Sequence, residues 1–440
     1  MFLSRRKKHI IFLIHGIGGS RKHFGFCAKA LRRVLNDKDN RTKYIIKYIE
    51  YYTGDDQKGV YDFAKDINIV IEKSVTKDSF KEDDKFSFIT HSQGGLIAAI
   101  WLFQSLKSNQ GYSNPQIIKY LDVFITLGTP FWGAKSAKWG FEIKQLFENC
   151  KVKLPFRFGK NELDNMMFGS DVIYDFRTAV INPDNQYILD YFKENVRFLN
   201  IIGVANILNP LGIFVSGTGQ YEDDGAVPIS SAKFNFLSTQ SIKKDYQENY
   251  RLPAENIKEI KIAQYIYVNA MHYSIFPEMN NFPGIAQIPK KCIRNVKNKH
   301  PTYSYLYSHI LGNKIIQTDD KLGDFKTFLI DINVRVPDDY SGKIENFKIE
   351  FCKLNGDSLK NSNIEIAKHF ELYSCGRRLS YEFLNYFRFY FTGSIKKFLE
   401  SRDELILIKF SSIGLKTRLV ELKVKPAVSS FVDINLISET

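Results

Sequence analysis

Cysteine, histidine and tryptophan are scarce in this chain: five, eight and three among 440 residues. The five cysteines, Cys27, Cys150, Cys292, Cys352 and Cys375, are odd in number, irregularly spaced and never arranged as Cys-x-x-Cys. That argues against a zinc site and a disulfide framework, and it fits a reducing compartment. No apolar run reaches the ~18 residues of a membrane-spanning helix. Arg5, Arg6, Lys7 and Lys8 followed by Ile10–Ile14 imitate a secretion signal. The apolar run is shorter than the ~7–15 residues such a signal needs, and no cleavage site follows it. It reads instead as a first core strand ending at His15-Gly16. A cytoplasmic location is expected, with contact at a membrane surface as a peripheral option. Internal repeats and low-complexity tracts are absent as well.

What is present is an ordinary globular composition, 44% hydrophobic, in a chain long enough for two cores. The formal net charge of +14 favours acidic surfaces such as anionic lipid headgroups. Most such charge is simply solvated surface, and no basic-aromatic module for nucleic acid accompanies it.

Apolar runs at Ile10–Ile14, Tyr44–Tyr51, Phe86–Ile89, Leu121–Leu127, Val196–Gly203 and Ile262–Val268 alternate with helical patterns at Phe24–Leu35, Tyr61–Ser74 and Gly94–Leu106. Strand-like apolar runs alternating with helices predict a mostly parallel sheet covered on both faces, an α/β architecture. The stretch from residue 133 to 195 exceeds an ordinary crossover and predicts an inserted cap, with amphipathic pieces at Trp139–Phe147 and Tyr187–Phe192. Beyond residue 300 the period changes to two: Phe328, Ile330, Ile332, Val334 and Val336 alternate with mostly polar neighbours. Half-buried strands of this kind predict a smaller antiparallel β-sandwich-like domain over 322–440, interrupted by a helical piece near Tyr381–Phe398. A catalytic domain over 1–300 and a linker over 301–321 complete the expected division.

The most informative run is Phe86-Ser-Phe-Ile-Thr-His-Ser-Gln-Gly-Gly95. An apolar strand ends in Ser92 and an apolar helix begins at once, so the sharp turn lifts the serine hydroxyl out of the packed layer beside a helix N-terminus. Directly after the first strand, His15-Gly16-Ile17-Gly18-Gly19 exposes backbone N–H groups. The N–H groups of Ile17 and Gln93 are the candidate oxyanion hole. A phosphate-cradling loop is the other use of such glycines, but no Gly-Lys-Ser/Thr follows. Asp224 lies 132 residues after Ser92, in Glu222-Asp223-Asp224-Gly225-Ala226-Val227-Pro228. His272 lies 48 residues further, after the last strand of the α/β region. Of the other histidines beyond Asp224, His300 and His309 fall in the expected linker and His369 in the β-rich region, which leaves His272. Asp223 and Glu222 are the fallback acids. His15 and His91 flank the serine and are expected to hydrogen-bond loops rather than act as bases. Serine, acid, histidine is the order in which a sheet of this kind supplies a nucleophile, its orienting carboxylate and its base.

Residues 9–275 resemble the lipase and esterase branch of the α/β-hydrolase superfamily. His15-Gly16-Ile17-Gly18-Gly19 matches the oxyanion loop, His91-Ser92-Gln93-Gly94-Gly95 the nucleophile turn, and Asp224-Gly225-Ala226-Val227-Pro228 the acid loop. Leu127-Gly128-Thr129-Pro130-Phe131-Trp132-Gly133 resembles the Gly-Thr-Pro-His-x-Gly segment of triacylglycerol lipases, with Phe131 in place of histidine. Met167-Phe168-Gly169-Ser170-Asp171 is similar to a Gly-Ser element of their cap regions. Thr90 stands where the first glycine of Gly-x-Ser-x-Gly is usual. The resemblance implies an α/β-hydrolase fold and a serine hydrolase of carboxylic esters, with Ser92, Asp224 and His272 as triad and Ile17 and Gln93 as oxyanion donors. No metal and no organic cofactor is required. Phe131, Trp132 and Phe168 are candidates for an acyl pocket, which with the basic charge favours an acylglycerol or phospholipid substrate. An acyltransferase using the same acyl-enzyme, and a non-catalytic binding or scaffold protein, are the competing expectations.

Overall fold

A computed structural model of the chain describes residues 5–75, 80–134, 159–205, 222–240, 251–252, 257–274, 283–294, 300–316, 325, 327–337, 339–352, 365–367, 372–374, 385–394 and 404–439. Its Cα positions divide into two compact units, Met1–Phe234 with Ile262–Asp324, and Asn235–Lys261 with Phe325–Thr440.

The first unit is built on six strands: β1 (Lys7–Ile14), β2 (Thr42–Ile49), β3 (Lys85–His91), β4 (Leu121–Leu127), β5 (Arg197–Gly203) and β6 (Gln264–Val268). They lie in the order β2-β1-β3-β4-β5-β6, every neighbouring pair parallel. All six apolar runs picked out in the sequence are strands of this one sheet. The four inner ones are legible because a parallel strand covered on both faces has no solvent side to mark with polar residues, while the edge strands β2 and β6 keep exposed or half-exposed positions.

Helices α1 (Cys27–Lys38), α2 (Val60–Ser74) and α3 (Gln93–Leu106) follow β1, β2 and β3. α3 is buried nearly all round, with every residue from Gln93 to Phe103 inside. A helix without a polar face can only be a central one. On one face of the sheet, Ile11, Leu13, Ile89, Ile125, Leu199 and Ile266 pack against Leu31 and Leu35 of α1. On the other, aromatic rings dominate: Phe88 meets Trp101 of α3 edge-on at 5.3 Å, and Phe124 stacks on Phe198 at 4.6 Å.

Between β4 and β5 run α4 (Lys160–Met166), α5 (Asp171–Ile181) and α6 (Gln186–Asn195). Part of the expected cap is therefore an ordinary crossover. Phe192 of α6 packs on Phe198 of β5 at 6.1 Å, which seats this helix against the sheet rather than over its edge. The piece Trp139–Phe147 lies outside the described residues.

The stretch expected as a linker is also structured at its start. Helix α7 (Tyr303–Ile310) adds Tyr303, Leu306 and Ile310 to the core beside α1. Arg197 of β5, ion-paired with Asp122 at 2.6 Å, donates to the carbonyls of His309 and Ile310 at the end of that helix. The helix's tyrosines and small polar residues hide an amphipathic pattern whose buried side mixes Tyr303 and Tyr305 with Leu306, His309 and Ile310.

In the second unit, strands 327–336, 385–394, 429–435, 236–240 and 257–260 form the centre of one sheet, and strands 348–352, 404–412, 415–424 and 251–252 form another. Phe328, Ile330, Ile332 and Val334 of the first face Ile406, Ile408, Val420 and Leu422 of the second in a single apolar core. That is a β-sandwich, but a mixed one. Strand 429–435 runs parallel to both 327–336 and 236–240. The expected helix near Tyr381–Phe398 is, where described, the strand Asn385–Ser394. Its Phe387, Phe389 and Phe391 alternate into the core, a period of two that the neighbouring Tyr and Arg residues obscure. Residues 235–261, expected inside the hydrolase region, supply three strands here.

Candidate active site

A parallel sheet sends the C-terminal ends of all its strands to one edge, and the loops leaving that edge are where an α/β protein assembles chemistry. Each candidate residue sits on such a loop. Ile17 follows β1, Ser92 follows β3, Gly128 follows β4, Asp224 comes after β5 and His272 after β6.

Ser92 is the turn between β3 and α3. Its φ of 55° and ψ of −130° lie in a region that non-glycine residues seldom enter, and only three non-glycine residues with positive φ occur among those described. The conformation is over-determined by its neighbours. Ser92 N–H donates to the Leu127 carbonyl of β4 at 2.9 Å, and the Ser92 carbonyl accepts from Gly95 N–H at 3.0 Å. A Cβ placed on Gly16 would lie 2.5 Å from that of Ser92, so the loop after β1 reaches the serine only because residue 16 has no side chain. Thr90, at the usual glycine position, turns its hydroxyl to the Ile125 carbonyl at 3.1 Å and is tolerated inside the sheet.

Asp224 and His272 meet. His272 Nδ1 and Asp224 Oδ2 are 2.7 Å apart, and His272 N–H donates to the Asp224 carbonyl at 2.7 Å. The other carboxylate oxygen, Oδ1, accepts from Ala226 N–H at 3.1 Å and Val227 N–H at 2.8 Å. Asp224 is 1% exposed, so three hydrogen bonds compensate the charge that burial would otherwise penalise. Gly128, with φ +57°, permits this closeness. A Cβ there would stand 2.7 Å from Asp224 Oδ2 and 3.0 Å from His272 Nδ1. The ring of His91, one residue before Ser92, lies 4.7 Å from that of His272, and its Nε2–H donates to the His272 carbonyl at 3.0 Å. Burial holds His91 well below the usual imidazole range, with the neighbouring His272 adding to the effect. A neutral His91 serves as a fixed donor, and His15 likewise bonds a loop carbonyl, that of Gly16, at 2.9 Å.

Ile17 N–H and Gln93 N–H, the two candidate oxyanion donors, give no hydrogen bond to another backbone group among the described residues. For Gln93 the reason is its place as the first residue of α3, where a helix has no acceptor to offer.

Asp223, one of the fallback acids, does not bond His272 but closes its own turn. Asp223 Oδ1 accepts from Gly225 N–H at 2.8 Å, and burial, with the Asp224 charge beside it, pushes the Asp223 carboxyl up to about 7. An unfolded chain releases that proton near pH ~3.9. Between those values the folded state binds more protons than the unfolded one, so this group's contribution to stability falls as pH rises. Several buried histidines, His9 among them at about 4, act in the opposite sense over part of the range. The difference between wild type and Asp223→Asn isolates the carboxyl. From pH 5 to pH 8 the wild-type Tm should drop relative to that of the variant; parallel Tm profiles would contradict the assignment.

Phe131 and Trp132 are fully buried, and Phe168 is 6% exposed. The first two enclose Arg177, whose guanidinium carbon is 4.4 Å from the Trp132 ring and whose Nη2 donates to the Phe131 carbonyl at 2.8 Å. Their rings are thus committed to protein contacts behind the Gly128–Gly133 segment. Phe168 lies beside that segment, since a Cβ on Gly133 would be 2.8 Å from Phe168 N. Sequence patterning does not single out Tyr51, whose hydroxyl is 2.8 Å from the His15 carbonyl and 3.1 Å from Gln93 Oε1. No motif marks it; it ends an apolar run like any core tyrosine.

This chain is similar to several known proteins. Residues 4–209 match the family described as "Putative serine esterase (DUF676)". The solved structure of phospholipase PlaB from Legionella pneumophila superposes with a TM-score of 0.65 at 16% identity, covering 98% of this chain and 94% of that one. The chain has the α/β-hydrolase fold. PlaB in complex with thio-NAD gives the same TM-score at 14% identity, again over 98% of this chain and 94% of that one. The lipase BlEst2 from Bacillus licheniformis, in its mature form, is 17% identical over 51% of this chain and 78% of its own length, with a TM-score of 0.35. No curated protein matches this sequence. Among its described residues no helix is long and apolar enough to cross a membrane, and no cluster of three or more His, Cys, Asp or Glu side chains is arranged to hold a metal ion.

Proposed function

We propose that this hydrolase cleaves carboxylic esters of lipids through an acyl-enzyme on Ser92, with His272 as general base and acid and Asp224 as its orienting carboxylate. The observation that carries this reading is the 2.7 Å bond from His272 Nδ1 to the buried Asp224 carboxylate, on the same sheet edge as a serine held at positive φ. An imidazole that gives its Nδ1–H to a carboxylate keeps Nε2 as the basic nitrogen. In the first step Ser92 Oγ bonds to the ester carbonyl carbon while its proton passes to His272 Nε2. The carbonyl oxygen takes up negative charge and is met by the N–H groups of Ile17 and Gln93. The tetrahedral species expels the alcohol, which takes the proton from His272. Water then repeats the sequence, freeing the acid and restoring Ser92.

A lipid substrate is supported by two features. The chain superposes over nearly its full length on a protein named as a phospholipase, and its net charge of +14 suits an anionic interface. Phe168 is proposed as the first apolar contact of the acyl chain, with Phe131 and Trp132 as the packing behind it.

Incubation with a fluorophosphonate probe, followed by a panel of acylglycerols and phospholipids of graded chain length, tests the reading. Labelling of one serine, located at Ser92, together with release of free fatty acid, is the expected result. Labelling without fatty acid, and with transfer to added alcohol instead, would make the enzyme an acyltransferase. No labelling at all would leave a non-catalytic protein.

A further inference from the structure

Rate in an acyl transfer of this kind depends on two N–H donors held at a fixed separation, because a preformed hole needs no reorganisation when charge develops. Here those donors lie on different loops. Ile17 belongs to the glycine-rich loop after β1, which has little side-chain packing of its own, while Gln93 is anchored at the start of a buried helix.

Tyr51, just beyond the end of β2, lies between them. It is 6% exposed, its ring stacks on that of His15 at 4.5 Å with an interplanar angle of 12°, and Phe63 of α2 backs it at 4.9 Å. Its hydroxyl faces two groups, the His15 carbonyl oxygen at 2.8 Å and the Gln93 side-chain amide at 3.1 Å. His15 is two residues before Ile17, and Gln93 carries the second donor on its own backbone.

A phenol has a single hydrogen and cannot satisfy two acceptors at once. The Gln93 amide nitrogen, fully buried, has no hydrogen-bond partner among the described residues when its oxygen faces Tyr51. Turning the amide over removes both difficulties, since amide oxygen and nitrogen have nearly the same shape. The chain then runs Gln93 Nε2–H to Tyr51 Oη, and Tyr51 O–H to the His15 carbonyl.

We infer that Tyr51 is a positioning residue for the oxyanion hole: its hydroxyl, linking the Gln93 amide to the His15 carbonyl, fixes the Ile17 N–H relative to the Gln93 N–H. The inference rests on the ester-hydrolase reading above. Tyr51 touches no reacting atom; it acts through the loop after β1.

Tyr51→Phe keeps the stacked ring and removes the link. With a soluble ester, kcat should fall about ten- to hundredfold while KM stays within about twofold, because only a transition-state contact is loosened. The second-order rate of fluorophosphonate labelling should fall by a like factor. Gln93→Met leaves the backbone donor and cuts the other end of the same link, so it should show a similar loss. The double variant should be no slower than the worse single one, since two cuts in one chain are not additive. Val34→Ala, in α1 and remote from the loops, serves as the control for lost packing and should lower Tm without the kcat effect. Wild-type kcat in Tyr51→Phe, additive losses in the double variant, or an equal kcat loss in Val34→Ala would overturn the inference. Should Tyr51→Phe not fold, Gln93→Met decides alone: a wild-type kcat there is fatal. Activity persisting in Ser92→Ala would instead strike the underlying ester-hydrolase reading, so the two failures are distinguishable.

Discussion

Ser92→Ala should lose about 10⁴–10⁶-fold in kcat for ester hydrolysis, because removal of a nucleophile leaves only the donors and binding to act. The labelling of wild type by a fluorophosphonate should vanish in the variant. What makes this residue unusual is that its replacement also reports on strain. At φ 55° and ψ −130° a side chain of any kind is unfavourable, at a cost of about 1–3 kcal/mol. Alanine retains that strain, whereas glycine does not. Ser92→Gly should therefore be as inactive as Ser92→Ala but unfold at a higher temperature. Glycine also loosens the unfolded chain, which opposes the gain by about 0.5–1 kcal/mol, so the two effects can be compared directly. Equal or lower Tm for the glycine variant would mean that the serine conformation stores little energy. Retained hydrolysis in either would end the proposed role of Ser92.

Asp224→Asn should be nearly as severe, about 10⁴-fold in kcat, with the fold retained. A loss of that size requires the amide to present its nitrogen to the imidazole, and here the surroundings dictate that it does. Asp224 Oδ1 accepts two backbone N–H groups, from Ala226 and Val227. An asparagine must place its single oxygen there, since an NH₂ group pointed at two donors would leave all of them unmatched. Its nitrogen then faces His272 Nδ1 and donates to it. The imidazole is pushed into the tautomer with its proton on Nε2, where it cannot take the serine proton. Asp224→Ala would remove the acceptor of both loop N–H groups and is expected to lower Tm as well. Measurement of kcat together with Tm separates these cases. An Asp224→Asn protein with wild-type kcat would require a different acid, and Asp223 is the neighbour to examine.

How far each feature is legible depends on the length of chain over which its cause acts. Ser92 is readable because strand, turn and helix follow one another within about twenty residues, and the turn's needs for small neighbours are written beside it. The four inner sheet strands are readable because burial on both faces leaves nearly continuous apolar runs. Asp224 is separable from Asp223 and Glu222 only by position in a motif; the choice between adjacent carboxyls is a matter of which oxygen meets His272. The strand at 385–394 reads as helix because its alternation, Phe387, Phe389 and Phe391, is interleaved with Tyr386, Arg388 and Tyr390, which blur an apolar-polar pattern. The helix at 303–310 reads as linker because only Leu306 and Ile310 on its buried side are aliphatic, the rest being Tyr303, Tyr305 and His309, residues that sequence patterning treats as indifferent.

Other features leave no local trace. Strand 236–240 pairs in parallel with strand 429–435, nearly two hundred residues later, so nothing near either one announces the partner. Tyr51 is in the same position. A hydroxyl that links two loops is chemically identical, in one dimension, to any tyrosine at the end of a strand.

The order of elements, the apolar strands and the identity of the serine turn were fixed by residues acting on their immediate neighbours, through backbone sterics and the cost of wetting apolar surface. Which carboxylate meets the imidazole, which rings close around Arg177, and which hydroxyl spans the two loops were decided only on folding. Those outcomes depend on distances between chain segments that no short-range preference specifies.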